Sequence, residues 1–103
     1  MEVAFLYLFS RKGCCLCQGL EERLRCLALN KISPPLALEV IDIDDEATSV
    51  SIRKSFDLEV PVLALGGNPY EDLVTLPRVS PRLKGEGLFN WLQKVCRNSL
   101  LPN

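Results

Sequence analysis

The sequence predicts an α/β fold of order β-α-β-α-β-β-α, with a four-stranded mixed sheet and helices on both faces. Three observations carry this. Val3 to Phe9 is seven consecutive apolar residues. That run is too short for a helix, and being apolar on both faces it suits a central strand buried between helices. After a short loop, leucines recur at helical spacing. Later, two strand-like runs flank Gly66-Gly67-Asn68-Pro69, turn chemistry dense enough to predict an antiparallel hairpin. Alternation in the first half requires a right-handed parallel crossover, and the hairpin makes the sheet mixed.

Each element follows from its own pattern. Ser10 to Gly13 is the loop after the first strand. From Cys15 the chain reads as a helix, with Leu16, Leu20, Leu24 and Leu27 in one stripe and Glu21, Glu22 and Arg25 on other faces. Asn30 and Ser33-Pro34-Pro35 stop it. Ala37 to Ile43 is the second strand, with Leu38, Val40 and Asp42 on one face. Asp44-Asp45-Glu46 supply a cap and first-turn acids for a short helix over residues 46 to 56, with Ile52 and Phe56 inward. Val60-Pro61 opens the third strand, Val62 to Leu65, and Leu73 to Leu76 returns as the fourth. Ser80-Pro81 reads as a cap and a first-turn proline for the last helix. Its firm part is Leu88 to Arg97, with Leu88, Leu92, Val95 and Cys96 inward and Trp91 beside them. No repeat, linker or low-complexity segment interrupts the chain, so one domain over residues 1–103 is expected.

Composition narrows the function. The 103 residues fit one modest core. Hydrophobic residues at 48% and charged residues at 24% are the balance of a soluble globular protein. A formal net charge of -1 offers nothing to attract nucleic acid. No apolar run approaches the ~18 residues a membrane span needs. Met1-Glu2-Val3-Ala4-Phe5 lacks the basic start of a signal peptide. The expectation is a cytoplasmic protein without nucleic-acid or membrane partners. Histidine is absent, which removes Cys–His and Ser–His–Asp catalysis and imidazole metal sites.

The chemistry lies in the thiols. Of five cysteines, three fall in Cys14-Cys15-Leu16-Cys17, directly after a strand and at a helix start. An odd, clustered set is a poor framework for structural disulfides and suits catalysis or metal binding. Residues i and i+3 share a helix face, so Cys14 and Cys17 can reach the ~4.4–6.8 Å Cα separation of a disulfide. At the helix start, unpaired backbone N–H groups favour a thiolate at Cys14, and Arg11 and Lys12 add positive charge. Cys17, one turn inside, is expected to be more buried. An exposed thiol of lowered pKa attacks, and a shielded thiol resolves the mixed disulfide. The alternative is a metal- or iron–sulfur-binding protein using Cys14, Cys15 and Cys17. It lacks a fourth ligand, because Cys26 lies twelve residues from Cys14 along the helix unless two chains cooperate. Cys15 stands open as a bystander, a second nucleophile or a metal ligand. Cys26 reads as a half-exposed spare thiol and Cys96 as an inert core residue. Asp42, Asp44, Asp45 and Glu46 have the look of a cation loop, but Ala47 sits where such a loop needs glycine, so helix capping is expected.

The run Phe5-Leu6-Tyr7-Leu8-Phe9-Ser10-Arg11-Lys12-Gly13-Cys14-Cys15-Leu16-Cys17, the run Leu38-Glu39-Val40-Ile41-Asp42-Ile43-Asp44, and Val60-Pro61-Val62-Leu63 together resemble small glutaredoxin-like proteins of the thioredoxin superfamily. The resemblance covers nearly the whole chain. It implies a thioredoxin-like fold and a thiol–disulfide oxidoreductase that reduces protein disulfides or glutathionyl mixed disulfides. Cys14 would be the nucleophile and Cys17 the resolving thiol. Arg11, with Lys12, would sit near the thiolate and a glutathione carboxylate. Val60 would offer backbone hydrogen bonds to an extended ligand, and Pro61 would be cis. Typical glutaredoxins follow the fourth strand with Gly-Gly and an acidic pair; here Leu76-Pro77-Arg78-Val79-Ser80-Pro81 stands instead. Arg78 and the N–H groups after Ser80 can hold a carboxylate there. The resemblance implies no required cofactor, with room for glutathione as co-substrate. It also implies a thiol reductant or reductase as partner, and a monomer.

Overall fold

The computed structural model describes residues 4–32, 35–66 and 73–100. Its strands are β1 (Ala4–Ser10), β2 (Leu36–Asp42), β3 (Val62–Gly66) and β4 (Val74–Thr75), and its helices are α1 (Cys15–Arg25), α2 (Val50–Phe56) and α3 (Gly85–Leu100). A 3-10 turn, Leu29–Lys31, follows α1. The sheet order is β2-β1-β3-β4. β1 pairs parallel with β2 and antiparallel with β3, and β3 pairs antiparallel with β4. This is an α/β fold of thioredoxin-like type.

The central position of β1 explains its unbroken apolar run. Alternate side chains of a strand point to opposite faces. Leu6 and Leu8 pack with Leu20 and Leu24 of α1 and Leu88 and Leu92 of α3. Tyr7 and Phe9 point the other way, into a second cluster with Ile43, Val62 and Ala64, against which Ile52 and Phe56 of α2 pack. The rings of Phe9 and Phe56 lie 4.9 Å apart. Two helices therefore cover one face and α2 the other.

Several boundaries differ from the sequence expectation, each for a local reason. α1 stops at Arg25, and the chain tightens through Cys26 into the 3-10 turn. Leu16 is 57% exposed, so the buried stripe begins at Cys17 and continues through Leu20 and Leu24. Asp42 and Asp45 do not cap α2. Each accepts a hydrogen bond from the backbone N–H two residues on, which curls the chain into successive turns. Ser49 caps the helix instead, accepting from the Ile52 N–H. Ser80-Pro81 likewise does not start α3. The Ser80 hydroxyl accepts from the Arg82 N–H in a local turn, and α3 begins only at Gly85, whose φ of 56 no ordinary residue adopts readily. Val3, Ser33-Pro34 and the Gly67-Asn68-Pro69 turn lie outside the described residues.

Candidate active site

Residues Arg11 to Cys14 form a tight turn that presents the first thiol. The Cys14 N–H donates to the Arg11 carbonyl at 3.2 Å. Gly13 takes φ 80, the value a type II turn demands at its third residue. The turn ends with Cys14 as the N-cap of α1, in extended conformation. Its carbonyl accepts the first helical hydrogen bond, from Gln18. Its sulfur accepts from the Cys17 N–H at 3.1 Å, the place a Ser or Asp oxygen holds in most helices.

Cys14 and Cys17 are joined as a disulfide, with Cα atoms 5.2 Å apart. Cys14 is half-buried and Cys17 is 0% exposed, so the two sulfurs differ in access as attacker and resolver would. No acidic residue occupies the first turn of α1. Cys15 and Cys26 are exposed free thiols and Cys96 is buried. Burial pushes the Cys96 thiol up to about 11, which keeps it protonated and inert at neutral pH. Among the described residues, no group of three or more cysteines and carboxylates is arranged to hold a metal ion.

Arg11 lines the groove beside Cys14, and its guanidinium is held by two carboxylates. Nε donates to Asp44 Oδ2 at 2.7 Å and Nη2 to Asp44 Oδ1 at 3.1 Å. Nη1 donates to the Asp57 carbonyl at 3.0 Å and Nη2 to Asp57 Oδ1. Hydrogen bonding to Asp44, then to Asp57, raises the Arg11 pKa further above its ordinary value. The same Arg11 bond holds the Asp44 carboxyl below the usual carboxylate range. Arg11 thus ties the Cys14 turn to the β2–α2 loop and to the turn after α2. Lys12 is exposed and lines a groove of ≈ 310 Å³ with Cys14, Gln18 and Asp42.

The Val60–Pro61 bond is cis. The pairing of Phe9 with Val62 puts it at the end of the sheet where β1 runs into the Arg11–Cys14 turn. The Val60 N–H donates to the Phe56 carbonyl, so that half of its backbone is already engaged. Pro61 lines a cavity of ≈ 170 Å³ with Thr75, Pro77, Arg78 and Val79. Arg78 is therefore at this cavity, whereas Ser80 is not among its lining residues. The Ser80 and Leu83 carbonyls instead accept from Nη1 of Arg23, whose Nε donates to the Gly19 carbonyl. Sequence reasoning missed Asp57 and Arg23. Asp57 lies 46 residues from Arg11 and Leu83 lies 60 residues from Arg23, and no local pattern marks either pairing.

A malarial protein of known structure shares the fold with a TM-score of 0.57 at 17% identity, over 91% of this chain and 98% of its own. A structural-genomics target protein from X. campestris is 27% identical, with a TM-score of 0.48, over 86% of this chain and 96% of its own. No curated protein matches the chain. The family model for the glutaredoxin-like domain (DUF836) matches residues 5–93. With a Cys-x-x-Cys pair closed at the start of α1, the chain belongs to the glutaredoxin-like domain family and carries that family's thiol redox pair.

Proposed function

We propose that the protein is a thiol–disulfide oxidoreductase that reduces protein disulfides or glutathionyl mixed disulfides. The observation that carries this is the Cys14 sulfur at the N-cap of α1, receiving the Cys17 N–H while bonded to a fully buried Cys17. When the pair is reduced, the positive end of α1 favours the Cys14 thiolate. The thiolate attacks one sulfur of the substrate disulfide, and the other leaves as a thiolate that takes up a proton. Cys17 then gives up its proton and attacks the Cys14 sulfur of the mixed disulfide, releasing the second substrate thiol. The protein is left oxidised at Cys14–Cys17, and a thiol reductant or reductase returns it.

The Val60-Pro61 edge and the cavity that reaches Arg78 are the surfaces proposed to hold the substrate, with Ser80 shaping the adjoining turn. No resident cofactor is required, glutathione serves as a co-substrate, and the protein works as a monomer in the cytoplasm. Iodoacetamide alkylation of the reduced protein across pH tests the reading. The Cys14 midpoint is expected below the ~8.5 of free cysteine. A Cys17→Ser variant is expected to accumulate a mixed disulfide on Cys14. A midpoint at the free-cysteine value, with no mixed disulfide trapped, overturns it.

A further inference from the structure

We propose that Asp44 and Asp57 set the selectivity of the Cys14 thiol against anionic disulfides, by engaging the guanidinium closest to it along the chain. This rests on the oxidoreductase reading and narrows its substrates: peptide disulfides flanked by neutral groups, lysine or arginine are favoured over glutathionyl ones, whose glutathione half is a net anion.

A guanidinium three residues from a redox sulfur is a ready bidentate site for a substrate carboxylate. Here four of its five N–H donors already point to Asp44 and Asp57. The trio carries a net charge of about -1 where a free arginine would carry +1. The surroundings reinforce the sign. The groove beside Cys14 is lined by Asp42 and Glu21 as well as by Lys12 and the carboxylate-bound Arg11 itself. It adjoins a depression of ≈ 440 Å³ lined by Asp42, Asp44, Asp45 and Glu46, again with Lys12 as the cation. Arg53 points its donors at the Ile43 and Asp45 carbonyls, and Arg25 pairs with Glu21. An anionic substrate group entering this groove must displace a carboxylate from Arg11 or sit against several. A cationic one meets a complementary field. Selectivity then comes as much from repelling the wrong substrate as from holding the right one.

The test uses three disulfides of similar reach: cystamine (dication), bis(2-hydroxyethyl) disulfide (neutral) and 3,3′-dithiodipropionate (dianion). Each oxidises the reduced full chain in a single turnover. The protein dithiol loses two electrons and two protons to become the Cys14–Cys17 disulfide, and each probe becomes two thiols. Rates are divided by those of dithiothreitol with the same probe, which removes intrinsic reactivity. At low ionic strength wild type is expected to rank cystamine first and dithiodipropionate last, with the gap closing as salt is added. Asp44→Asn/Asp57→Asn is expected to lower the cystamine-to-dithiodipropionate ratio about fivefold or more, and Arg11→Gln to raise it. Because unfolded chain would itself bring the ratio toward one, the variants are compared under conditions where circular dichroism shows them folded, and Arg11→Gln, expected to move the ratio the opposite way, separates charge from unfolding. A wild-type ratio near one, or a ratio unmoved in the double variant, overturns the selectivity. If Cys14→Ser keeps the wild-type rate with the neutral probe, the oxidoreductase reading itself fails; a Cys14-dependent but charge-blind rate removes the selectivity alone.

Discussion

Gly13 decides where the first thiol stands. Its φ of 80 lies in the left-handed region, which a residue with a Cβ enters at a cost of roughly 1–2 kcal/mol. An added Cβ would meet nothing within 4 Å, so the cost of substitution is backbone strain and not a clash. Gly13→Ala is expected to lower stability by about 1–2 kcal/mol in urea unfolding of the reduced protein, and Gly13→Asn by less, because asparagine tolerates this region better. Equal losses for the two, or none, would contradict a strained turn. The sequence marks Gly13 as a loop residue and Cys14 as a helix start, since both signals lie within a few positions. The partners of Arg11 are another matter. Asp44 is 33 residues away and Asp57 is 46, and a run of acids after a strand reads equally well as a helix cap.

Between elements, one guanidinium joins α1 to the segment that leads into α3. Arg23 projects from the helix that carries both redox cysteines and bonds the Ser80 and Leu83 carbonyls. Those residues follow directly on Pro77, Arg78 and Val79, which line the cavity at Pro61. Arg23→Met keeps the apolar stem and deletes the donors. It is expected to cost about 1–3 kcal/mol and to speed hydrogen exchange at the Leu83 amide, which donates to the Ser80 carbonyl. Unchanged exchange at Leu83 would show that Val79 and Leu83, packed against the core, hold the segment without the clamp. The late start of α3 belongs to the same stretch. Proline after serine reads as a helix start, but the Ser80 and Leu83 carbonyls are engaged by Arg23, and α3 begins only at Gly85, in the left-handed region.

For the whole molecule, the sheet separates two cores, and the larger one contains a titratable group. Cys96 packs among the leucines of α1, β1 and α3 and is 0% exposed. Burial raises its thiol from 9.0 to about 11. Below pH 9 both folded and unfolded states hold the proton, and stability is unaffected. Between pH 9 and about 11 the unfolded chain releases it while the folded one does not. Stability therefore falls as pH rises through that window, by up to roughly 3 kcal/mol. Unfolding of the reduced protein followed across this range is expected to show that loss, and Cys96→Ala to show a shallower slope from a lower starting stability. Parallel slopes in the two proteins would remove Cys96 as the cause.

The chain's own pattern determined the order of elements, the burial of β1 on both faces and the helix-start position of Cys14 and Cys17. Each depends on residues close in sequence, where periodicity and spacing act directly on the backbone. The β2-β1-β3-β4 order, the capture of Arg11 by Asp44 and Asp57, and the Arg23 clamp were decided only in the tertiary structure. These pairings span tens of residues, and a charged side chain has no preferred partner until packing of the two faces brings one within hydrogen-bonding reach.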